Sequence, residues 1–169
     1  LKQVDMKYIF FLFFLINIQL VFSQHYEPSI LKDIALDMVK DSKFCVLSTV
    51  SINGEISSRI MDPHLPNDDF VVFLVTNPLS RKVKEIKNNP NVTLLFQNES
   101  GYVSLNGRVS FVLDQSKKNI FWKDDWTPYY YDKKKALVLK VKPKMIEVIN
   151  QTKNIKGDSI NWAPAKIKF

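Results

Sequence analysis

Cysteine occurs once in this 169-residue chain and histidine only twice. The lone thiol, Cys45, sits in the apolar run KFCVLSTV. A buried inert thiol is the expected reading there, rather than a nucleophile, and no second cysteine exists to form an intramolecular disulfide. His25 and His64 are too few for a histidine-built zinc site, and no Cys-x-x-Cys or His-Glu-x-x-His spacing occurs. Gly-x-Ser-x-Gly and Gly-x-Gly-x-x-Gly are also missing. Nucleophile-elbow hydrolases and Rossmann dinucleotide binders therefore find no support. There is no internal repeat, no low-complexity segment and no linker long enough to separate a pair of domains.

What is present is the composition of a folded domain: 46% hydrophobic and 24% charged residues, with a net charge of +7. The positive balance favours an anionic partner, whether a phosphorylated cofactor, nucleic acid or anionic lipid, without choosing among them. Residues 1–23 read apart from the fold. From Met6, MKYIFFLFFLINIQLVFSQ has a basic start, a short apolar centre and a small or polar end, the pattern of a secretory signal cleaved after Ser23. Asn17 and Gln19 interrupt the apolar centre, which argues against a permanent transmembrane helix. Export to a periplasm or beyond is thus expected, with residues 24–169 as one mature domain.

Along that domain, EPSILKDIALDMVKDS predicts a helix over 28–41 with Ile30, Ile34 and Met38 on one face and Leu31 and Leu36 as further candidates for it. FCVLSTV and ISSRIMDP flank an Asn-Gly turn and predict a hairpin. DFVVFLVT is a nearly continuous apolar strand. PLSRKVKEIKNN then predicts a helix with Pro78 at its first position and Leu79, Val83 and Ile86 buried. NVTLLFQ, YVSLNGRVSFVL with a bulge or bend at Gly107, and ALVLKVKPKMIEVI supply three further strands. Between the last two, DQSKKNIFWKDDW predicts a helix capped by Asp114, and the tail after the last strand reads as irregular. Six strands with hairpin-type connections predict an antiparallel sheet closed into a small barrel, with helices outside.

The chemistry concentrates in TNPLSRK, residues 76–82. Thr76, Ser80, Arg81 and Lys82 crowd the start of a helix, where unpaired N–H groups already carry partial positive charge. Cations are unfavourable there unless an anion offsets them, and arginine forks, lysine and hydroxyls together suit a phosphate. Arg59, in the strand just before DFVVFLV, would converge on the same anion if those two strands pair. The other reading is a solvated basic face with an edge-strand arginine.

Taken together, RIMDP, DFVVFLVTNPLSRKVKEIKNNPNVTLLF and the later Trp122, Trp126 and GDSINWAP resemble the pyridoxamine 5′-phosphate oxidase-like, FMN-binding split-barrel superfamily. Within it the likeness is to the general stress protein 26 branch, and it spans nearly all of the mature chain. The resemblance implies a six-stranded antiparallel split barrel, mainly β with peripheral helices, that binds FMN at a homodimer interface. It implies that Arg59, Ser80, Arg81 and Lys82 bind the FMN phosphate with Thr76 beside them, and that Ile60, Met61 and Val75 line the isoalloxazine ring. Trp126 and Trp162 either reach the partner subunit's flavin or are core and dimer-packing residues. Tyr102 stands where the oxidase proper has a flavin-contacting glutamine, and the chain ends PAKIKF instead of in an Arg-x-His segment. The first departure removes a polar contact to the flavin, and the second argues against pyridoxamine phosphate as the substrate.

The leading expectation is therefore an exported FMN-dependent oxidoreductase of unassigned substrate. The alternative is a non-catalytic flavin carrier or stress-related binding protein. Haem binding, with only His25 and His64 to serve it, ranks below both, and nucleic-acid binding, resting on net charge alone, ranks last.

Overall fold

Chain order and hydrogen-bonding order differ in one informative way. The computed structural model describes residues 26–64, 68–130 and 132–169; the predicted signal segment, its cleavage point and His25 lie outside the described residues. The elements are α1 (Pro28–Asp41), β1 (Cys45–Val50), β2 (Ile56–Met61), β3 (Pro63–His64), β4 (Val72–Thr76) and α2 (Arg81–Asn88). There follow β5 (Asn91–Asn98), β6 (Gly101–Val112), α3 (Gln115–Ile120), a 3-10 helix (Asp124–Tyr129), β7 (Leu137–Asn150) and β8 (Ala165–Lys168). The strands form one sheet in the order β2-β1-β5-β6-β7-β4-β3, with β8 also on β7, and every pairing is antiparallel. The two ends of that path, β2 and β3, are separated in sequence by Asp62 alone. Their chain ends lie within about 7 Å of each other, two Cα steps, so the sheet must curl into a barrel. Because β2 and β3 do not pair, the barrel stays open along that seam: it is split.

The six expected strands are present, and β3 and β8 are additional. A two-residue strand such as β3 is too short to show a period, and β8 lies in the tail that reads as irregular, recognisable only through its pairing with β7. β4 is buried along its whole length because both of its faces are covered. Val72 and Leu74 join the barrel core, which also holds Leu47, Leu94, Phe96, Leu105 and Ile146. Phe73 and Val75 join a second cluster outside the barrel with Val112, Trp126, Ala136 and Val138.

Two helix faces differ from expectation. In α1 Leu31, Leu36 and Met38 are buried as expected and Ala35 and Val39 join them, while Ile30 is exposed. Ala35, fully buried, gives the helix a small residue on its packed side. The next helix begins at Arg81, three residues after Pro78, because a turn intervenes: the Ser80 N–H donates to the Asn77 carbonyl at 3.0 Å. Leu79 is consequently 84% exposed, and Val83, Glu85 and Ile86 form the buried face.

Two glycines have local reasons. Gly54 closes the β1–β2 hairpin with φ +84°, and its N–H donates to the Ser51 carbonyl at 3.0 Å. Gly107 sits at a register shift between β6 and β7, whose extra residue is Lys144 of β7, and a Cβ there would come within 2.6 Å of the Lys142 carbonyl oxygen. Gly107→Ala should therefore destabilise the fold by about 1–3 kcal/mol, the usual cost of overpacking. An unchanged urea midpoint would mean that the bulge yields without cost.

Candidate functional site

The hairpin register fixes where Arg59 points. Leu47 faces Arg59 and Thr49 faces Ser57, so Arg59 shares the inward face of β2 with Ser57 and Met61. The conditional pairing of β2 with β4 does not occur, since β2 pairs only with β1. Convergence comes instead through α2, which follows β4 and carries Glu85 inward. Arg59 Nη2 lies 3.0 Å from Glu85 Oε2, and its Nη1 donates to Thr49 Oγ1 at 2.5 Å. The Thr49 hydroxyl in turn donates to Glu85 Oε2. One turn back on α2, Arg81 Nε lies 3.1 Å from Glu85 Oε1, while Arg81 Nη2 donates to Ser57 Oγ at 3.2 Å. Lys82 Nζ donates to Thr76 Oγ1 at 3.0 Å, and Thr76 shares a hydrogen bond with Ser80 Oγ. Ser80 is the N-cap residue of α2, yet its side chain makes no capping bond to the first turn.

Arg59, Arg81, Lys82, Thr76 and Ser80 are thus brought together, with two residues that sequence reasoning passed over, Thr49 and Glu85. Both of these are buried. Two arginines pair with one carboxylate and Lys82, held by Thr76, adds a third cation nearby, an excess of two positive charges at the start of a helix. The excess leaves its mark on titration. Burial, and after it the charge of Arg59, hold the Lys82 ammonium below its usual range, against the pull of Glu85. Glu85 is held below the usual carboxylate range, first by the Thr49 hydrogen bond and then by Arg59 and Arg81, which outweigh its burial.

The strands that carry Arg59 and Thr76 also contribute to a cleft of about 650 Å³, within the usual range for small-molecule sites. Ile60 and Met61 continue the strand that carries Arg59, and Val75 precedes Thr76; all three line the cleft. Trp126, Pro128, Tyr129 and Tyr130 of the 3-10 helix and its exit form the facing wall. That wall is fastened at the seam. Asp62 Oδ2 accepts from Trp126 Nε1 at 2.8 Å, Asp62 Oδ1 is paired with Lys123, and the Tyr130 hydroxyl donates to the Val75 carbonyl at 3.4 Å. Cys45, on the strand beside Met61, is no nucleophile here: burial, and then the Asp62 charge, push its thiol up to about 12.

Two named residues lie elsewhere in the chain. Tyr102 faces outward on β6 opposite Gln97 and lines a shallow hollow with Gln97 and Gln151. Trp162 is 82% exposed, with φ +61°, on a turn whose N–H groups at Ile160, Asn161 and Ala163 all donate to the Asp158 carboxylate. Trp126, by contrast, is buried in the second cluster and walls the cleft of its own chain. His64 lies on β3, edge-on to Phe73 and Phe121.

A split antiparallel barrel with a cationic cluster and a cleft at its seam is the class that these features define. The chain belongs to the pyridoxamine 5′-phosphate oxidase family, whose profile matches residues 31–150. No curated protein matches it. Among solved structures it is similar to general stress protein 26 from Bacillus anthracis str. Sterne, at 25% identity and a TM-score of 0.67 over 82% of this chain and 98% of that one. A protein related to general stress protein 26 from Clostridium acetobutylicum matches at 19% identity and TM-score 0.67, covering 85% and 96% of the two chains. An F420 reductase matches at 18% and 0.53, covering 65% and 93%. The last two likenesses carry the fold alone.

The depressed Glu85 titration has a definite sign. The folded state favours the carboxylate, so the stabilisation is fully present above its ordinary value of 4.5 and is lost as pH falls through the lower folded value. Glu85→Gln should lower the melting temperature at neutral pH and flatten the loss of stability below about pH 4.5. An acid limb as steep as that of the wild type would show that Glu85 does not contribute to it.

Proposed function

We propose that this chain binds FMN at the seam and serves as a flavin-dependent oxidoreductase. The observation that carries the proposal is the pairing of Arg59 and Arg81 with one carboxylate, with Lys82 next to Arg81 on the helix, while the chain neighbours of Arg59 and Thr76 line the cleft of Ile60, Met61 and Val75. An excess of two positive charges matches a phosphate monoester, which carries about −1.5 to −2 at pH 7. Arg59, Arg81 and Lys82 would hold the phosphate by charge, with Ser80 and Thr76 offering hydroxyls. Ile60, Met61 and Val75 would line the ring system, and the Trp126 wall would shield it from water. Bound there, the flavin supplies the redox chemistry while the protein holds and orients it.

Dimerisation belongs to the same proposal. On the outer face of four adjacent strands lie Val46, Ser48 and Val50, then Ile56, Ser58 and Ile60, then Thr93, Leu95 and Gln97, then Tyr102, Ser104 and Asn106. None of these twelve is charged, in a chain of which 24% is charged, and Arg108, opposite Asn91 at the far end of β6, bounds the patch with a charge. The polar groups largely satisfy one another: the Ser48 and Ser58 hydroxyls share a bond at 2.9 Å, and Thr93 donates to Asn106 at 2.9 Å. Charge depletion with exposed isoleucines is the character of an interface core, and a second copy of the chain is the occupant proposed for it. Tyr102 lies on that face, and Trp162 is exposed. Both would meet a flavin only across such an interface.

A carrier without turnover is the second reading. It is favoured by Asp62, a cleft carboxylate whose two oxygens are taken up by Lys123 and Trp126 in fastening the wall. Steady-state oxidation of a nicotinamide or other donor separates the two.

The flavin claim is tested by the absorbance of the protein after FMN addition and desalting. Arg81 suits the comparison because its side chain is 75% exposed, so Arg81→Ala leaves the inner Arg59–Glu85 pair intact. Wild type should retain the flavin bands, and the variant should bind about 10- to 150-fold more weakly, the value of charge-assisted hydrogen bonds worth ~1.5–3 kcal/mol. No retained flavin in wild type would remove the cofactor claim. For the interface, Ser58→Lys should shift the sedimentation of the protein from dimer to monomer; a dimer that survives it forms through another face.

A further inference from the structure

We infer that Glu85 is a positioning residue for the phosphate seat: it aims Arg59 and Arg81, from two different elements, at one anion. This rests on the flavin-phosphate proposal and deepens it. Glu85 is the only acidic residue on α2, and it is turned inward with 5% of its side chain exposed. Each of its oxygens has its own arginine, Oε2 receiving Arg59 at 3.0 Å and Oε1 receiving Arg81 at 3.1 Å. Thr49 completes the frame, accepting from Arg59 and donating to Glu85. Both guanidinium groups are thereby tied on one side, and each keeps N–H groups that the carboxylate does not occupy, since the fork carries five donors. Without the carboxylate, the half-buried Arg59 and the exposed Arg81 would repel each other and separate. Ser57, the other side-chain partner of Arg81, sits on the exposed side of the cluster and is too weak an anchor to replace it.

Positioning and simple charge neutralisation predict opposite signs. Removing a carboxylate adds one positive charge to the cluster, which by Coulomb's law alone tightens anion binding. If Glu85 orients the arginines, its removal weakens anion binding in spite of the added charge. A merely structural role predicts a third pattern, in which stability falls while discrimination for the phosphate is untouched.

The experiment is the dissociation constant of the full-length protein for FMN and for riboflavin, which differs by lacking the phosphate, in wild type and Glu85→Gln. The expected result is a drop of about 10- to 100-fold in the preference for FMN over riboflavin, the range seen when a residue that orients a ligand-binding side chain is lost. The riboflavin constant should stay unchanged. Should Glu85→Gln fail to fold, Thr49→Val removes the hydroxyl of the frame and leaves both ion pairs; a smaller drop in the same direction is expected. An unchanged or increased FMN preference in the folded variant overturns the positioning role. If wild type shows no preference for FMN, the flavin proposal fails by itself. Inorganic phosphate is then the probe: it must raise the melting temperature of wild type and not of Glu85→Gln, or the positioning role falls as well.

Discussion

One residue, Asp62, separates the two ends of the sheet, and the geometry of the site follows from that. A seven-strand path that starts at β2 and finishes at β3 can place Met61 and Pro63 two steps apart only by curling through most of a circle. The strand ends that meet there do not pair, so the barrel keeps a seam in place of a ladder. A seam leaves backbone and side chains facing open space, which is the raw material of a cleft. Asp62 then does a second job at the corner it turns. Its carboxylate takes Lys123 on one oxygen and Trp126 on the other, fastening the 3-10 helix to the barrel edge. The wall of the cleft and the closure of the barrel therefore meet at the same residue, the first through its side chain and the second through its backbone.

The cationic cluster is the second constraint, and it is a costly one. A carboxylate taken out of water loses several kcal/mol of hydration unless charges and hydrogen bonds replace it. Glu85 recovers that through two arginines and a threonine hydroxyl, while the arginines and Lys82 remain in excess. The burden of that excess falls on Lys82, whose ammonium is disfavoured by burial and by Arg59. A helix start whose N-cap side chain makes no capping bond adds its own partial positive charge. An anion of the kind proposed would offset both the charge of Arg59 on Lys82 and the partial charge of the helix start.

Most of the fold was legible because it rests on local periods. The helix over 28–41, the hairpin around Gly54, the bulge at Gly107 and the Asp114 cap all leave short-range marks, and each appears where expected. What the sequence could not show was pairing between distant elements. Ile30 reads as apolar and helical, but only the sheet beneath α1 decides that Leu31 and Ala35 face it. Leu79 fits a helical stripe, but the turn closed by Asn77 postpones the helix past it. At the site, the cations of TNPLSRK stood out as a charge anomaly. Glu85 did not, since a glutamate four residues after an arginine looks like an ordinary surface ion pair. Its burial depends on where α2 packs, and its pairing with Arg59 on a register established three elements earlier. Thr49 was recoverable in principle: a hairpin closed over residues 51–55 sets Thr49 opposite Ser57 and Leu47 opposite Arg59.

That register carries more than one function, because β2 presents alternate residues to opposite sides. Ser57, Arg59 and Met61 face inward, toward Glu85 and the cleft; Ile56, Ser58 and Ile60 face outward with the uncharged surface of β1, β5 and β6. A slip of one residue would exchange the two sets. Arg59 would emerge onto the uncharged face, Ile60 would be pushed against the carboxylate of Glu85, and site and apolar surface would fail together. Edge strands slip most readily, and β2 is an edge. What holds it is the short loop in which Gly54 takes a conformation that a side chain would resist, the ladder from Cys45–Met61 to Val50–Ile56, and the Arg59 tether to Thr49 and Glu85. The charge that looks misplaced in a strand of isoleucines is thus also one of the contacts that keep the isoleucines facing the right way.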